Sequence, residues 1–237
     1  MSTLIKIIIT AIMSLLLSSC NLGIGVMGNG QVITKERLAP DSFDQIEVSR
    51  GLEVYLGQNE KAGITVQADE NLHPLIITKI EGNILKIYTD KNISHASAKK
   101  VMVNFKNLSK ISSSSGSDVY VTGISADYLE LHSTSGSHME LKVKVNNLRC
   151  TTSSGSHLKL SGTADVFSVK ASSGSDVRAE DLDAAITNAK ASSGADISVS
   201  VSQELTAKTQ SGGNITYLGN PKTINKSAGV SAGASPH

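Results

Sequence analysis

Ser114-Ser115-Gly116-Ser117-Asp118, Thr134-Ser135-Gly136-Ser137-His138 and Ser153-Ser154-Gly155-Ser156-His157 are three copies of one short phrase. Three more follow: Ser172-Ser173-Gly174-Ser175-Asp176, Ser192-Ser193-Gly194-Ala195-Asp196 and Gln210-Ser211-Gly212-Gly213-Asn214. Successive central glycines lie 20, 19, 19, 20 and 18 residues apart. Drift within a serine-rich low-complexity stretch would not hold that interval, so the phrase marks a structural repeat. Strand-type alternation at this period predicts an all-β solenoid with one coil per repeat, about 19–20 residues each.

Alignment on the glycines separates an inner from an outer surface. Five places before the glycine stand Ile111, Leu131, Cys150, Val169, Ala189 and Ala207; three places after it stand Val119, Met139, Leu158, Val177, Ile197 and Ile215. These odd offsets are apolar or small. Even offsets are polar, as with Tyr120, Glu140, Lys159, Arg178, Ser198 and Thr216 four places after the glycine. Odd offsets are therefore expected inside and even offsets outside. On this parity the serines just before the glycine (Ser115, Ser135, Ser154, Ser173, Ser193 and Ser211) point inward and would stack as a hydroxyl ladder. A bend at the glycine that resets the alternation would put them outside instead.

Working toward the N terminus, the same period of two runs through Leu52-Glu53-Val54-Tyr55-Leu56, Ile84-Leu85-Lys86-Ile87-Tyr88 and Val101-Met102-Val103-Asn104-Phe105. Turn signals such as Gly51 and Glu81-Gly82-Asn83 separate these runs. Residues 70–78, around His73-Pro74, are the one expected helical or irregular piece. The solenoid is expected over 40–222, after a Gly-rich flexible tether within 20–39 and before a flexible tail, 223–237.

The first nineteen residues read as a lipoprotein signal peptide. Lys6 precedes an apolar run from Ile7 to Leu17, too short to span a bilayer, and Leu17-Ser18-Ser19-Cys20 resembles a bacterial lipobox. This implies cleavage before Cys20 and its acylation, hence a membrane anchor. Asn21 stands where enteric bacteria use Asp for inner-membrane retention, so an outer-membrane destination is expected; which side the chain faces stays open. Cys150 is the one other cysteine and is read as a small buried hydrophobe. With Cys20 lipidated, no intramolecular disulfide can form.

The 237-residue chain carries 22 Lys plus Arg against 21 Asp plus Glu, a formal charge of +1. Neutralising a nucleic-acid backbone needs a strong basic excess, so nucleic acid is excluded as a partner. Three Phe, five Tyr and no Trp also weaken readings that stack a ligand on aromatic rings.

Phe43-Asp44-Gln45-Ile46-Glu47-Val48, then Gly51-Leu52-Glu53-Val54, the Ser-Gly-Ser-Asp coils, and the closing Ser211-Gly212-Gly213-Asn214-Ile215-Thr216-Tyr217-Leu218-Gly219-Asn220-Pro221 together resemble one family of exported bacterial proteins. It is named the putative auto-transporter adhesin, head GIN domain, family. The resemblance covers roughly residues 40–222. It implies a right-handed β-helix-like solenoid, commonly carried on lipoproteins of the Bacteroidetes type, and brings no catalytic motif.

Ser-Gly-Ser is not the Gly-x-Ser-x-Gly nucleophile elbow, and a nucleophile would not occur in six copies. Phosphate loops, paired Cys motifs, His-Glu-x-x-His and calcium nonapeptides are absent. No cofactor and no catalytic or metal-binding residue is expected. The second place after the glycine holds Asp118, His138, His157 and Asp176, read as corner residues and as the candidate for a weak ligand column. The expected function is a non-catalytic, adhesin-like envelope module whose ligand is an envelope glycan or protein. A polysaccharide-active β-helix enzyme, lyase or hydrolase, is the alternative, since such folds carry clustered carboxylates with a base.

Overall fold

A computed structural model describes residues 25–39, 43–227 and 229–233. The signal peptide and Cys20 lie outside the described residues. The first strands among the described residues are β1 (Val26–Met27) and β2 (Val32–Arg37). There follow β3 (Gln45–Val48), β4 (Glu53–Gln58), β5 (Gly63–Asp69), a 3-10 turn (Glu70–Leu72), β6 (Ile76–Glu81), β7 (Ile84–Thr89), β8 (Ile93–His95), β9 (Lys99–Phe105) and β10 (Lys110–Ser113). The repeats supply β11 (Asp118–Ser133), β12 (His138–Thr152), β13 (His157–Ala171), β14 (Asp176–Ser192) and β15 (Asp196–Gln210). β16 (Asn214–Leu218), β17 (Thr223–Lys226) and β18 (Val230–Ala232) are the last strands among the described residues.

Strands β11 to β15 each run parallel to the next, which makes the expected all-β solenoid. Register follows the glycines: Val119, Met139, Leu158, Val177, Ile197 and Ile215 pair in succession. All six are buried, while Glu140 and Arg178 beside them reach solvent. Along β12 the alternation slips once, where Asn146 and Asn147 are both exposed. A strand that bends around a coil must slip there, because its inner face changes direction.

The serines before the glycine break the odd-in parity. Ser115, Ser135, Ser154, Ser173, Ser193 and Ser211 have φ between 49° and 55° and are exposed. In each repeat this residue and the glycine both take positive φ, and Ser117 N–H, for example, donates to Ser114 C=O at 3.3 Å. This is the signature of a type I′ turn, whose twist suits flanking strands and which needs Gly at its second central place. The turn resets the alternation, so the expected inward ladder of these serines does not form.

The serine after the glycine goes inside instead. Ser117, Ser137, Ser156 and Ser175 are buried, and so are Ser113, Ser133 and Thr152, three places before the glycine. The two sets interlock between coils. Ser137 Oγ donates to Ser113 O (3.0 Å), Ser156 Oγ to Ser133 O (2.8 Å), and Thr152 Oγ1 shares a hydrogen bond with Ser175 Oγ (2.9 Å). A buried hydroxyl left unpaired would cost about 1–3 kcal/mol. In the last repeats both partners are dropped together: Ala171 faces the coil of Ala195, and Ala191 faces that of Gly213, where an added Cβ would lie 2.6 Å from Ala191 backbone. At the first interface Val48 replaces one partner and Ser117 Oγ accepts from the Gly51 amide instead (3.0 Å).

The N-terminal region is part of the same solenoid. β3 pairs with β10 and β4 with β11, aligning Ile46 with Ile111 and Val54 with Val119. Between them Arg50 and Gly51 take φ of 63° and 72°, the turn's conformation with Arg50 and Leu52 where the repeats have serines on either side of the glycine. β7 and β9 stack on β3 and β4, and antiparallel neighbours then close this end: β6 on β7, β5 on β9, β2 on β5. The outermost strand, β2, carries Lys35, Glu36 and Arg37, charges that discourage edge-to-edge pairing.

Both segments expected to be flexible carry strands. Within 20–39, β2 is tied to the body by Arg37, whose guanidinium donates to Ile76 O (2.6 Å) and His73 O (2.9 Å). Buried Asp69 accepts from the Gly30 and Ala98 amides, both at 2.9 Å, and fixes the loop before β2. Within 223–237, β17 continues β15 and β18 continues β16 in parallel, so part of the tail extends the coil. Polar composition hid these strands because their outward faces are solvated.

Candidate functional site

Asp118, His138, His157 and Asp176 begin β11, β12, β13 and β14, two residues past the turn glycine. Their backbone is fixed between coils: His138 N–H donates to Ser117 O (3.0 Å), His157 to Ser137 O (2.9 Å) and Asp176 to Ser156 O (2.9 Å). The four residues are in direct register, continued by Asp196 and Asn214 on one side and Glu53 on the other. The structure thus brings the sequence-predicted column together, about 4.8 Å between neighbours.

The carboxylates do not cap the turn. Asp176 Oδ2 accepts from Arg178 Nε at 3.0 Å and lies 3.6 Å from His157 Nδ1. At the other end, burial pushes the Asp118 carboxyl above its ordinary value, His138 pulls it back, and Glu53 adds to the rise. Among the described residues, no group of three or more His, Cys, Asp or Glu is placed to hold a metal ion. A ladder sends its side chains out roughly parallel, whereas tetrahedral coordination needs them to converge.

Beside this column runs a second, four places past the glycine: Tyr55, Tyr120, Glu140, Lys159 and Arg178. The Tyr55 and Tyr120 rings stack at 5.2 Å, and Tyr120 meets His138 at 5.9 Å. Lys100 Nζ sits 5.6 Å from the Tyr55 ring centre. The Tyr55 hydroxyl donates to Glu53, which pushes its pKa up to about 12. Glu140 accepts from Lys159 at 2.9 Å. Sequence reasoning missed this tyrosine pair. The signal was available: Tyr55 stands four places past Gly51, as Tyr120 does past Gly116, once Gly51 is recognised as a coil glycine. Stacked along the column, the rings spend their faces on Lys100, each other and His138, so they are not an open platform for a sugar.

Chemically, these two columns are ladders of side chains at fixed strand spacing, charge-paired at Asp176–Arg178 and Glu140–Lys159. Cys150 is buried and unbridged, and burial pushes its thiol well above the ordinary range, so it is no nucleophile.

Comparison with known proteins bears on the same region. A search of curated proteins finds no match. Solved structures do match. A putative adhesin from Bacteroides fragilis superposes with a TM-score of 0.80 at 20% identity, covering 88% of this chain and 99% of that one. A putative lipid binding protein from Parabacteroides distasonis gives 0.69 at 22% identity, and a putative adhesin from Parabacteroides merdae gives 0.69 at 20%, with the same coverages. At such identities the likeness is one of fold. The family match spans residues 42–221, from ahead of β3 to the proline after β16, and places the chain in the family described as putative auto-transporter adhesin, head GIN domain.

Proposed function

We propose that this chain is a lipid-anchored module of the bacterial cell envelope that binds a ligand and does no chemistry on it. The observation that carries the reading is the surface itself: outward side chains held in register on successive coils, each column presenting a row of groups at one spacing. Such an array suits an extended ligand. Family membership supports an adhesin-like role at the envelope. A lyase or hydrolase would need a base and acids aimed at one point; the Asp118–Asp176 column runs in parallel instead.

Anchoring rests on Cys20. Each acyl methylene placed in a bilayer contributes about 0.8 kcal/mol, so two or more chains give a stable anchor. The Cys20→Ser chain should leave the membrane fraction or accumulate uncleaved; a mature Cys20→Ser protein that still partitions into detergent would remove the anchor from this reading. Outer-membrane residence follows from Asn21 by analogy. The binding role is tested by screening the chain without residues 1–20 on envelope glycans and envelope extracts, where saturable retention on a glycan or protein is expected. Retention of nothing above a denatured control would contradict it.

A further inference from the structure

One outer column carries charge of a single sign. Four places before the coil glycine stand Lys170, Lys190 and Lys208, paired in direct register on β13, β14 and β15. All three are exposed, about 4.8 Å apart along a straight file. Among the described residues none of them is in an ion pair. The columns on either side are neutral: Ser168, Asn188 and Thr206 on one, Ser172, Ser192 and Gln210 on the other. Toward the N terminus the same face holds a carboxylate among its cations: Glu130 pairs with Lys110 (3.8 Å) and His132 (3.0 Å), and Arg149 stands in register beside it.

Like charges directly opposite each other on neighbouring strands destabilise a sheet. A file of three lysines with no counter-charge is therefore a cost to the fold, and the Ser, Thr and Asn ladders next to it show what a neutral alternative looks like. The lysines line a groove of about 570 Å³ with Thr151, Ser172 and Ser192. The groove offers ammonium groups in a row, flanked by hydroxyls and an amide that can donate and accept.

We propose that this groove binds a linear, carboxylate-bearing glycan of the polyuronate type, laid along the solenoid axis. The inference rests on the binding-module reading and names its ligand class. An extended glycan advances by about one sugar ring per coil and turns successive rings about its axis, so the lysine file meets carboxylates at intervals along the chain while ring hydroxyls meet the serine and threonine columns. A single-stranded nucleic acid fits less well: it gains affinity from bases stacked on aromatic side chains, and the groove is lined by none.

The test uses the full chain in neutral detergent, with polygalacturonate as probe, its fully methyl-esterified form as the uncharged control, and oligothymidylate as a second polyanion. Polygalacturonate should bind at low salt, and affinity should fall as salt rises. The triple variant Lys170→Gln/Lys190→Gln/Lys208→Gln should lose about tenfold or more, the combined effect of three exposed charge pairs. Lys61→Gln/Lys142→Gln/Lys144→Gln makes the same change in net charge elsewhere on the surface and should bind as the unaltered chain does. Equal loss in both variants, no loss in the first, or equal binding of the methyl ester or of oligothymidylate would each overturn the proposal. If the unaltered chain ignores polygalacturonate yet retains a neutral glycan or a protein, this inference fails while the binding-module reading stands.

Discussion

The coil centred on Gly51 and the coil centred on Gly155 have the same backbone and almost no sequence in common. Both take two positive φ values in a row, and both pair parallel and in register with their neighbours. Yet Val48 and Leu52 fill, in the first, the buried places that Thr152 and Ser156 fill in the second. In the last repeats those places shrink to Ala191 and Gly213. The difference separates two instructions that the serine phrase had merged. One glycine and odd-offset apolar residues specify the coil; the serines specify how a polar seam between coils is satisfied.

The largest expected effects test whether the two regions are one solenoid. Val54 and Val177 are both fully buried three places past a coil glycine. Val54→Asp and Val177→Asp each bury a carboxylate without a partner and should cost several kcal/mol. Arg178→Ser, one residue along on the exposed face, should cost less than about 1 kcal/mol. Thermal melts of the three decide it: a Val54→Asp protein that melts like Arg178→Ser would mean the first coil is an appendage.

Smaller effects come from the glycines. At Gly51 and Gly155 an added Cβ meets nothing closer than 3.5 Å, so alanine pays only for left-handed backbone, about 1–2 kcal/mol at either site. At Gly162 the Cβ would stand 2.0 Å from Val143 O, with φ 108°. Gly162→Ala should therefore exceed both in a denaturant titration; similar midpoints for all three would show that the coils yield where close packing is inferred.

The fold was legible where one residue type had to recur. Turn geometry demands Gly at one place in each coil, and burial demands apolar side chains at fixed offsets, so the repeat and its inner columns stood out. The Gly51 coil was hidden because Arg50 stands where the repeats use serine and Leu52 where they bury one. The direction of the serines was also not legible, because parity assumes an unbroken strand and the type I′ turn breaks it. Of the candidate column, in-register placement followed from spacing alone. Its contacts did not, because Arg178 reaches Asp176 along its own strand and Glu53 reaches Asp118 from the neighbouring coil.

The seam gives the next smaller effect. Ser175→Ala alone strands the buried Thr152 hydroxyl, at about 1–3 kcal/mol, whereas Thr152→Ala leaves Ser175 Oγ accepting from the Ser172 amide (3.2 Å) and should cost less. The double variant should cost clearly less than the sum, because it reproduces the Ala171 and Ala195 arrangement of the following coils. Additive losses would mean that the two hydroxyls do not work as a pair.

At the N-terminal cap the smallest effect depends on pH. Burial pushes the Asp69 carboxyl up, but the Ala98, Gly30 and Ser97 amides outweigh this and hold it below its ordinary value. Its folded-state pKa is thus depressed. The stabilisation is present above the unfolded value, near about 3.9, and is lost as pH falls through the folded value. Melting temperature should drop more steeply below about pH 4 in the unaltered chain than in Asp69→Asn; parallel curves would show that the loop at Gly30 is held by other contacts.

The central claim, that this solenoid binds without catalysis, is tested most directly by recovering a captured glycan and measuring its chain length. Envelope glycans retained by the protein would be eluted after prolonged incubation and sized beside untreated material. The account predicts saturable retention with the length distribution unchanged. Shortened chains, or new unsaturated ends, that appear with the protein and vanish with a heat-denatured sample would contradict it and make the solenoid an enzyme.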